Sequence, residues 1–341
     1  MYNKLYHNYL VALIMCLLTP ALTGQDIHFS QFHNAMMNIN PGQTGVFNGD
    51  QRFTAIIRDQ WRSVPVPYLT VGAAYDMRLS SYKYRNRFFG IGGQFNYDKA
   101  GDSKMALVNF AINGSYSQIL HPRHIISGGV GVAINQRRFN EDELRWESQW
   151  DGDSYRPDFT SGENFESMDI LFVDLSLGIN YRFQVNSRTW INLGGGAFHL
   201  NQPDQTFYAV DQEDTGLPVR LTGSITSSFK IAQAIDLMVN GLYQFQNPYQ
   251  EIVGSGLIRL YINNKPGRHY ILDLGAGMRA DDAFYPILGF QYNNWYLAAS
   301  YDVNTSFFDI ATNGRGGPEI SLRYIYAKPQ PPGEFKKCPV Y

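Results

Sequence analysis

The chain has 341 residues, of which 15% are aromatic and 17% are charged, and its formal net charge is -2. Soluble globular domains contain roughly 25% charged residues, so this chain has too few charges to cover a soluble surface of its size. The near-neutral charge also argues against a nucleic-acid partner, because such a partner requires a basic face.

Residues 1–24 predict an export signal. Lys4 precedes an apolar run at residues 10–18, and small residues follow just before Gln25, as in secretory signal peptides. The mature chain is therefore expected to begin at about Gln25. Beyond the signal the chain has one cysteine, Cys338, so the mature protein cannot form an intramolecular disulfide. No later segment reaches the roughly 18 consecutive apolar residues of a membrane helix.

Residues 25–51 form a segment with few charges and several side-chain amides. Amides satisfy backbone groups where no regular ladder exists, and the run Asn40-Pro41-Gly42 predicts a turn. We expect this segment to form an ordered plug in the periplasmic mouth of the barrel that the following residues predict. The alternative is a mobile periplasmic leader.

Residues 52–326 alternate between apolar and polar side chains with a period of two, in segments about as long as membrane-crossing strands. This pattern predicts an all-β, outer-membrane β-barrel of about 14 antiparallel strands. The alternative is a soluble β-sandwich. A proline-rich periplasmic tail, residues 327–341, follows the barrel. The predicted strands are 52–62, 68–79, 88–98, 104–118, 124–136, 168–184, 189–201, 219–230, 235–246, 251–263, 269–280, 283–292, 295–303 and 317–326.

Long and short connections alternate along the predicted barrel. The long ones, residues 137–167, 202–218 and 304–316, all fall in odd-numbered connections, whereas the even-numbered ones are short. Outer-membrane barrels have short periplasmic turns and longer extracellular loops. We therefore expect the long loops outside the cell and both termini in the periplasm.

Several strand residues carry further expectations. Glycine runs at 128–131 and 194–196 are interpreted as bends in the wall, because glycine allows curvature and close packing. Arginine facing lipid is costly, so Arg58, Gln60 and Arg62 should face the lumen while Trp61 faces outward. Aromatic residues near strand ends predict an interfacial girdle; these are Tyr181, Phe183, Trp190, Tyr243, Phe245, Tyr249, Trp295 and Tyr296.

The long loops combine aromatic and acidic side chains, which favours a protein-docking surface because exposed Trp and Tyr are good interface anchors. A calcium site is the alternative, although the acidic residues do not fit EF-hand spacing. The predicted partner-contact residues are Trp146, Trp150, Asp151, Asp153, Tyr155, Asp211, Glu213 and Asp214.

No nucleophile elbow, phosphate loop or dinucleotide fingerprint occurs in the sequence, and the histidines are scattered. We therefore expect no enzymatic activity and no cofactor.

Three short elements follow one another near the start of the mature chain: Phe29-Ser30-Gln31-Phe32, Asn40-Pro41-Gly42-Gln43-Thr44-Gly45, and Arg58-Asp59-Gln60-Trp61 with Pro65. Their order resembles the opening of the PorP/SprF family of Bacteroidetes type IX secretion and gliding-motility membrane proteins. That opening has FSQY-like, NPAYAG-like and R-x-Q-W-x-x-x-P elements. The second element here departs from NPAYAG in its middle.

The resemblance implies a non-enzymatic outer-membrane barrel, surrounded by outer-membrane lipid, that works with type IX secretion or gliding components. We expect it to bind the C-terminal sorting domain of a secreted surface protein and to help export or anchor that protein. The alternative is a passive transport barrel for a small solute, similar to a porin or a fatty-acid channel.

Overall fold

The computed structural model describes residues 26–62, 67–81, 84–101, 104–141, 144–163, 165–207, 216–265, 267–306 and 312–328. Several sequence predictions lie outside these residues; they concern the signal peptide, Pro65, Asp211, Glu213, Asp214 and Cys338.

Within the described residues, antiparallel strands β1 to β14 form one closed barrel, in which β14 pairs with β1. The predicted fold class and strand number are confirmed. The strands are β1 (Gln51–Gln60), β2 (Tyr68–Ser81), β3 (Tyr84–Ala100), β4 (Met105–His121), β5 (His124–Arg138), β6 (Asp169–Gln184), β7 (Trp190–Phe198), β8 (Arg220–Ala232), β9 (Ile235–Gln246), β10 (Tyr249–Lys265), β11 (Arg268–Arg279), β12 (Ala283–Tyr292), β13 (Trp295–Asn304) and β14 (Arg315–Tyr326).

The two faces of each strand differ in polarity, as β5 illustrates. Val130, Val132 and Ile134 are exposed on the outer surface, whereas Ser127 and Asn135 are buried in the lumen. This alternation places apolar side chains against lipid and polar ones inside. Among the described residues, no helix is long and apolar enough to cross a membrane.

The connections between strands lie at two opposite ends of the barrel. The connections 139–168, 199–219 and 305–314 lie at one end of the barrel, termed the long-loop end. Turns 122–123 and 233–234 belong to the opposite end, termed the short-turn end. One predicted connection, residues 80–87, is much shorter in the structure because β2 and β3 extend into it.

Residues 26–50 lie in the lumen and are termed the plug; they contain short 3-10 turns and are buried over most of their length. The plug starts at the long-loop end, where Asp26 contacts His199 and Arg220. It ends at the short-turn end, where the Asp50 N–H donates to the carbonyl of Tyr326.

The two ends of the plug therefore lie at opposite ends of the barrel. The expectation that residue 26 and the end of β14 share one side is wrong. The alternation of long and short connections predicts the end of the barrel at which each strand begins. It does not constrain a segment that precedes the first strand and runs through the lumen.

Replacing Val130 by arginine (Val130→Arg) should lower the free energy of unfolding by roughly 2–4 kcal/mol, because Val130 faces lipid near the middle of β5. Leu120→Arg, on the lipid face near the short-turn end of β4, is the matched control and should cost about 0–1 kcal/mol. Urea unfolding from lipid vesicles measures both values. Equal costs would contradict the assignment of Val130 to mid-depth.

Candidate functional site

Two buried carboxylates fasten the plug to the wall, Asp302 on β13 and Glu319 on β14. The Ser30 hydroxyl donates to Asp302 over 2.8 Å, and the backbone N–H groups of Ser30 and Gln31 donate to Glu319 over 2.8 and 2.6 Å. Arg58 on β1 pairs with both carboxylates, with 2.7 Å from Nη2 to Asp302 Oδ2 and 3.7 Å from Nε to Glu319 Oε2. These five residues are termed the acidic clamp.

The acidic clamp is closed to solvent, since the side chain of Arg58 is 1% exposed and that of Glu319 is 0% exposed. Arg279 on β11 supplies a second cation. Its Nη2 donates to the Ser30 hydroxyl over 2.8 Å and lies 3.7 Å from Asp302 Oδ2. Buried charges require paired, hydrogen-bonded partners. Arg279 also pairs with Glu251 and Asp282, over 2.9 and 2.7 Å, so Arg58 is the arginine that pairs with both carboxylates of the acidic clamp.

A series of wall glycines, termed the glycine track, provides room for residues 39–44 of the plug. A Cβ added at Gly129 would lie 2.5 Å from the carbonyl oxygen of Pro41, and one at Gly178 would lie 2.1 Å from Oδ1 of Asn40. Both distances are too short for any side chain to be tolerated without movement. The glycine track consists of Gly90, Gly129, Gly178, Gly194 and Gly196.

The predicted turn at residues 40–45 lies on the glycine track. Asn40 Oδ1 accepts from the N–H of Gly42 over 2.8 Å, and Asn40 Nδ2 donates to the carbonyl of Ile179 on β6 over 2.7 Å. Gly45 has a φ of 73°, a conformation that favours glycine, and its N–H donates to Asp76 Oδ2 over 2.8 Å. The turn is thus bonded to the wall at both of its ends.

The three sequence elements that carry the family resemblance meet at this interface between plug and wall. Residues 29–32 reach the acidic clamp, residues 40–45 lie on the glycine track, and Arg58 belongs to the third element. Phe29 also packs with Ile56 of β1 in an apolar cluster. Elements that are separate in the chain therefore form one docking surface.

The wall partners Asp302, Glu319 and Arg279 were not anticipated from the sequence. A signal for them existed, because a charged residue within an alternating strand has to face the lumen. Asp302, for example, lies between two neighbours on β13 that face outward. Alternation shows that such a residue points inward, but it does not show which residue it meets.

A second charged contact holds the start of the plug at the long-loop end. Asp26 Oδ2 lies 3.0 Å from His199 Nε2 and 3.2 Å from Arg220 Nη1. Burial alone would raise the pKa of Asp26, but the charge of Arg220 and the hydrogen bond with His199 hold that pKa below its usual range. Asp26 is therefore a fixed negative charge at neutral pH.

Two cavities flank the buried part of the plug. The long-loop cavity has a volume of about 650 Å³ and charges of both signs, among them Asp98, Arg137 and Glu251. The short-turn cavity has a volume of about 490 Å³, and the described residues that line it include several arginines but no carboxylate. The plug thus separates two compartments of different charge.

The end of β1 differs in part from the sequence expectation. Arg58 and Gln60 are buried on the lumenal face, as alternation requires. Trp61 follows the strand with a φ of 56°, lies edge-on to Tyr68 and lines the long-loop cavity, so the expected outward orientation is wrong. Arg62 is 86% exposed and does not enter the lumen. Both residues lie beyond β1, where strand alternation no longer fixes the side chains.

Three aromatics of the expected girdle have other positions. Tyr249 lines the long-loop cavity. Tyr296 is buried in the lumen, and its ring stacks against the guanidinium of Arg323. Trp190 lines the short-turn cavity and stacks against Arg182. Aromatic rings at strand ends can face either side of the wall, and here two of them support inward arginines.

The loop after β5 holds the described members of the predicted partner surface. Trp150 is 55% exposed and Asp153 is also exposed. Trp146 packs within the loop on Phe165, and the hydroxyl of Tyr155 donates to a glutamine of the same loop. The structure therefore divides the predicted set into outward-facing residues and residues that shape the loop.

Asp151 stabilises this loop from within. Its Oδ1 accepts from the N–H groups of Ser154 and Asp153 over 2.7 and 2.9 Å, and these hydrogen bonds hold the pKa of Asp151 below its usual range. The described residues contain no cluster of three or more His, Cys, Asp or Glu side chains that could hold a metal ion. Calcium binding by the loop stays a prediction.

A closed barrel with outward apolar faces and an anchored lumenal plug defines an outer-membrane barrel protein. Residues 21–324 match the family model described as type IX secretion system membrane protein PorP/SprF. The chain belongs to the PorP/SprF family, which confirms the resemblance seen in the sequence. No curated protein matches the chain.

Solved structures to which the chain is similar include a toluene transporter and a monoaromatic hydrocarbon channel. The toluene transporter TbuX of Ralstonia pickettii is 10% identical with a TM-score of 0.49, over 86% of this chain and 94% of that chain. The monoaromatic hydrocarbon channel CymD is 11% identical with a TM-score of 0.47, over 89% of this chain and 96% of that chain.

Replacing Arg58 by methionine (Arg58→Met) should release the acidic clamp, because Asp302 then keeps only the 3.7 Å contact with Arg279 and Glu319 loses the arginine paired with it. Loss of one partner of a buried ion pair costs about 3–5 kcal/mol. Hydrogen–deuterium exchange at the amides of Ser30 and Gln31, which donate to Glu319, should accelerate accordingly. Arg62→Met, at the exposed neighbour, is the control; similar exchange in both variants would refute the clamp.

Introducing valine at Gly129 (Gly129→Val) should displace the plug turn, because the new side chain overlaps the backbone of Pro41. Ion conductance in planar bilayers should rise relative to the unmodified barrel. Gly128→Val is the matched control, since a Cβ at Gly128 meets nothing within 4 Å. A conductance that stays unchanged at Gly129 would show that the plug does not depend on the glycine track.

Proposed function

We propose that this protein is a non-enzymatic, plugged outer-membrane barrel of the type IX secretion machinery that binds a secreted surface protein at its long-loop end. The bound element is the C-terminal sorting domain of that protein, and binding helps to export the protein or to anchor it. In this proposal the long-loop end faces the outside of the cell, in keeping with the usual asymmetry of outer-membrane barrels.

The observation that carries the proposal is the docked plug. Residues 29–47 occupy the lumen between the two cavities, and the acidic clamp bonds them to the wall. A folded sorting domain could not pass a lumen filled in this way. The cargo would therefore be recognised at the rim of the barrel rather than conducted through it.

The long loops offer a recognition surface of suitable chemistry. Trp150 is exposed at the turn that Asp151 orders, and the exposed Asp153 lies in the same turn. Aromatic anchors beside charged residues are typical of interface hot spots. Secretion or gliding components would then be contacted from the short-turn end, where β14 leads into the tail.

Passive transport of a small solute is the competing function. It requires the solute to move the plug aside, because the plug lies between the long-loop and short-turn cavities. An unmodified barrel that conducts ions in planar bilayers and retains no protein partner would favour transport over cargo binding.

Replacing Trp150 and Asp153 by alanine should weaken capture of the secreted surface protein by at least about tenfold, because hot-spot truncations commonly cost 2 kcal/mol or more. The measurement is quantitative mass spectrometry of proteins that co-purify with the tagged barrel in mild detergent. Val185→Ala, an exposed apolar residue in a turn at the short-turn end, is the control. Undiminished capture by the Trp150 and Asp153 variant would contradict the assigned surface.

A further inference from the structure

The short-turn cavity has an unusual charge pattern. Its described lining residues include arginines from five places in the barrel and no carboxylate. These are Arg52 on β1, Arg182 on β6, Arg188 in the turn after β6, Arg259 on β10 and Arg323 on β14. A concave surface lined by one sign of charge concentrates ligands of the opposite sign.

Three of these arginines are neutralised by carboxylates in the wall. Arg52 lies 2.8 Å from Asp76, and Arg259 lies 2.7 Å from Asp273. Arg188 pairs with a third buried aspartate on β9. The three carboxylates do not line the cavity, so the guanidinium groups form its surface. These pairs fix the positions of the arginines but add no net charge.

Arg182 and Arg323 differ from the other three. Arg182 Nε donates to the side-chain oxygen of Gln184 over 2.9 Å, and Arg323 Nη1 donates to that of Asn34 over 3.1 Å. Within the described part of the chain, neither guanidinium forms an ion pair with a carboxylate. The cavity therefore holds two net positive charges whose side chains are already oriented by neutral partners and by stacked aromatic rings.

The plug contributes donors that have no acceptor. His33 and Gln43 line the short-turn cavity, and both ring nitrogens of His33 and the Nε2 of Gln43 are buried without a hydrogen-bond partner among the described residues. A neutral imidazole carries one N–H, and an amide nitrogen is a donor only. Buried donors without acceptors are costly, so the plug side of the cavity carries polar groups that the described residues do not satisfy.

We propose that the short-turn cavity binds an acidic peptide segment, with carboxylates paired to Arg182 and Arg323. Arg182 and Arg323 lie on strands separated by five strands on one side of the barrel and seven on the other. Two arginines on well-separated strands fit a chain with spaced carboxylates. The volume of about 490 Å³ lies in the range of ligand pockets, roughly 300–1,000 Å³.

The test uses the full chain in detergent and a fluorescein-labelled peptide of six glutamates, with binding measured by fluorescence anisotropy at low salt. Arg182→Gln and Arg323→Gln should each weaken binding by about tenfold or more, because charge-assisted hydrogen bonds are the strong ones. Arg137→Gln, which removes an arginine of the long-loop cavity, is the control and should bind as the unmodified protein does.

Two further variants separate a lost contact from a lost fold. Arg182→Lys and Arg323→Lys keep the charge and should retain more binding than the glutamine variants, and heat-modifiable gel mobility reports whether each barrel is folded. Equal binding by the Arg182→Gln and Arg137→Gln proteins would overturn the proposal. Inorganic phosphate that displaces the peptide at the peptide's own affinity would also overturn it, in favour of a compact anion.

This proposal does not depend on the identity of the cargo at the long-loop end. The peptide assay reports only on the short-turn cavity, whereas the co-purification assay reports on Trp150 and Asp153. A negative result in one assay therefore does not affect the proposal that the other assay tests.

Discussion

Closure of the barrel and docking of the plug depend on the same buried ion cluster. Arg58 on β1 lies directly opposite Glu319 on β14 in the register that joins the first and last strands. Opposed side chains in an antiparallel pair are close enough to interact. Arg58 therefore meets Glu319 only when the barrel has closed, and the N–H groups of Ser30 and Gln31 obtain their acceptor in the same event.

The composition of the plug follows from the lumen that surrounds it. Its backbone forms no strand ladder; its 3-10 turns pair part of the backbone internally, and the inner wall offers small polar residues to its side chains. Gln31 Nε2 donates to the hydroxyl of Ser300 over 3.0 Å, and Asn34 Nδ2 donates to that of Ser321 over 2.9 Å. An unpaired polar group in such a site costs stability, so amides serve here better than charges. Phe32 and Ile39 complete the contact by joining an apolar cluster with β9, β10 and β12.

The sequence predicted the strands of the barrel wall far better than the contacts inside the lumen. The period of two is a property of neighbouring residues, and the lengths of the connections can be read directly along the chain. Both led to the observed strands. The acidic clamp instead joins Ser30 to Asp302 and Glu319, which are nearly the whole chain apart. Its geometry depends on strand register and on the route of the plug. The same limitation explains the errors at Trp61, Trp190 and Tyr296, since each ring is positioned by a lumenal neighbour or by the end of a strand.

The path of the plug also determines how the two ends of the barrel can influence each other. Asp26 is held by Arg220 at the long-loop end, while His33 and Gln43 face the short-turn cavity. A ligand that contacts His33 and Gln43 binds the docked plug better than a displaced one. By linkage it stabilises the docked state by RT ln(1 + [L]/Kd). The wall arginines are also coupled to the plug, because Arg323 donates to Asn34 and Arg182 donates to Asn48. A ligand at the short-turn end is therefore coupled to the position of the plug through Arg182 and Arg323 as well as through His33 and Gln43.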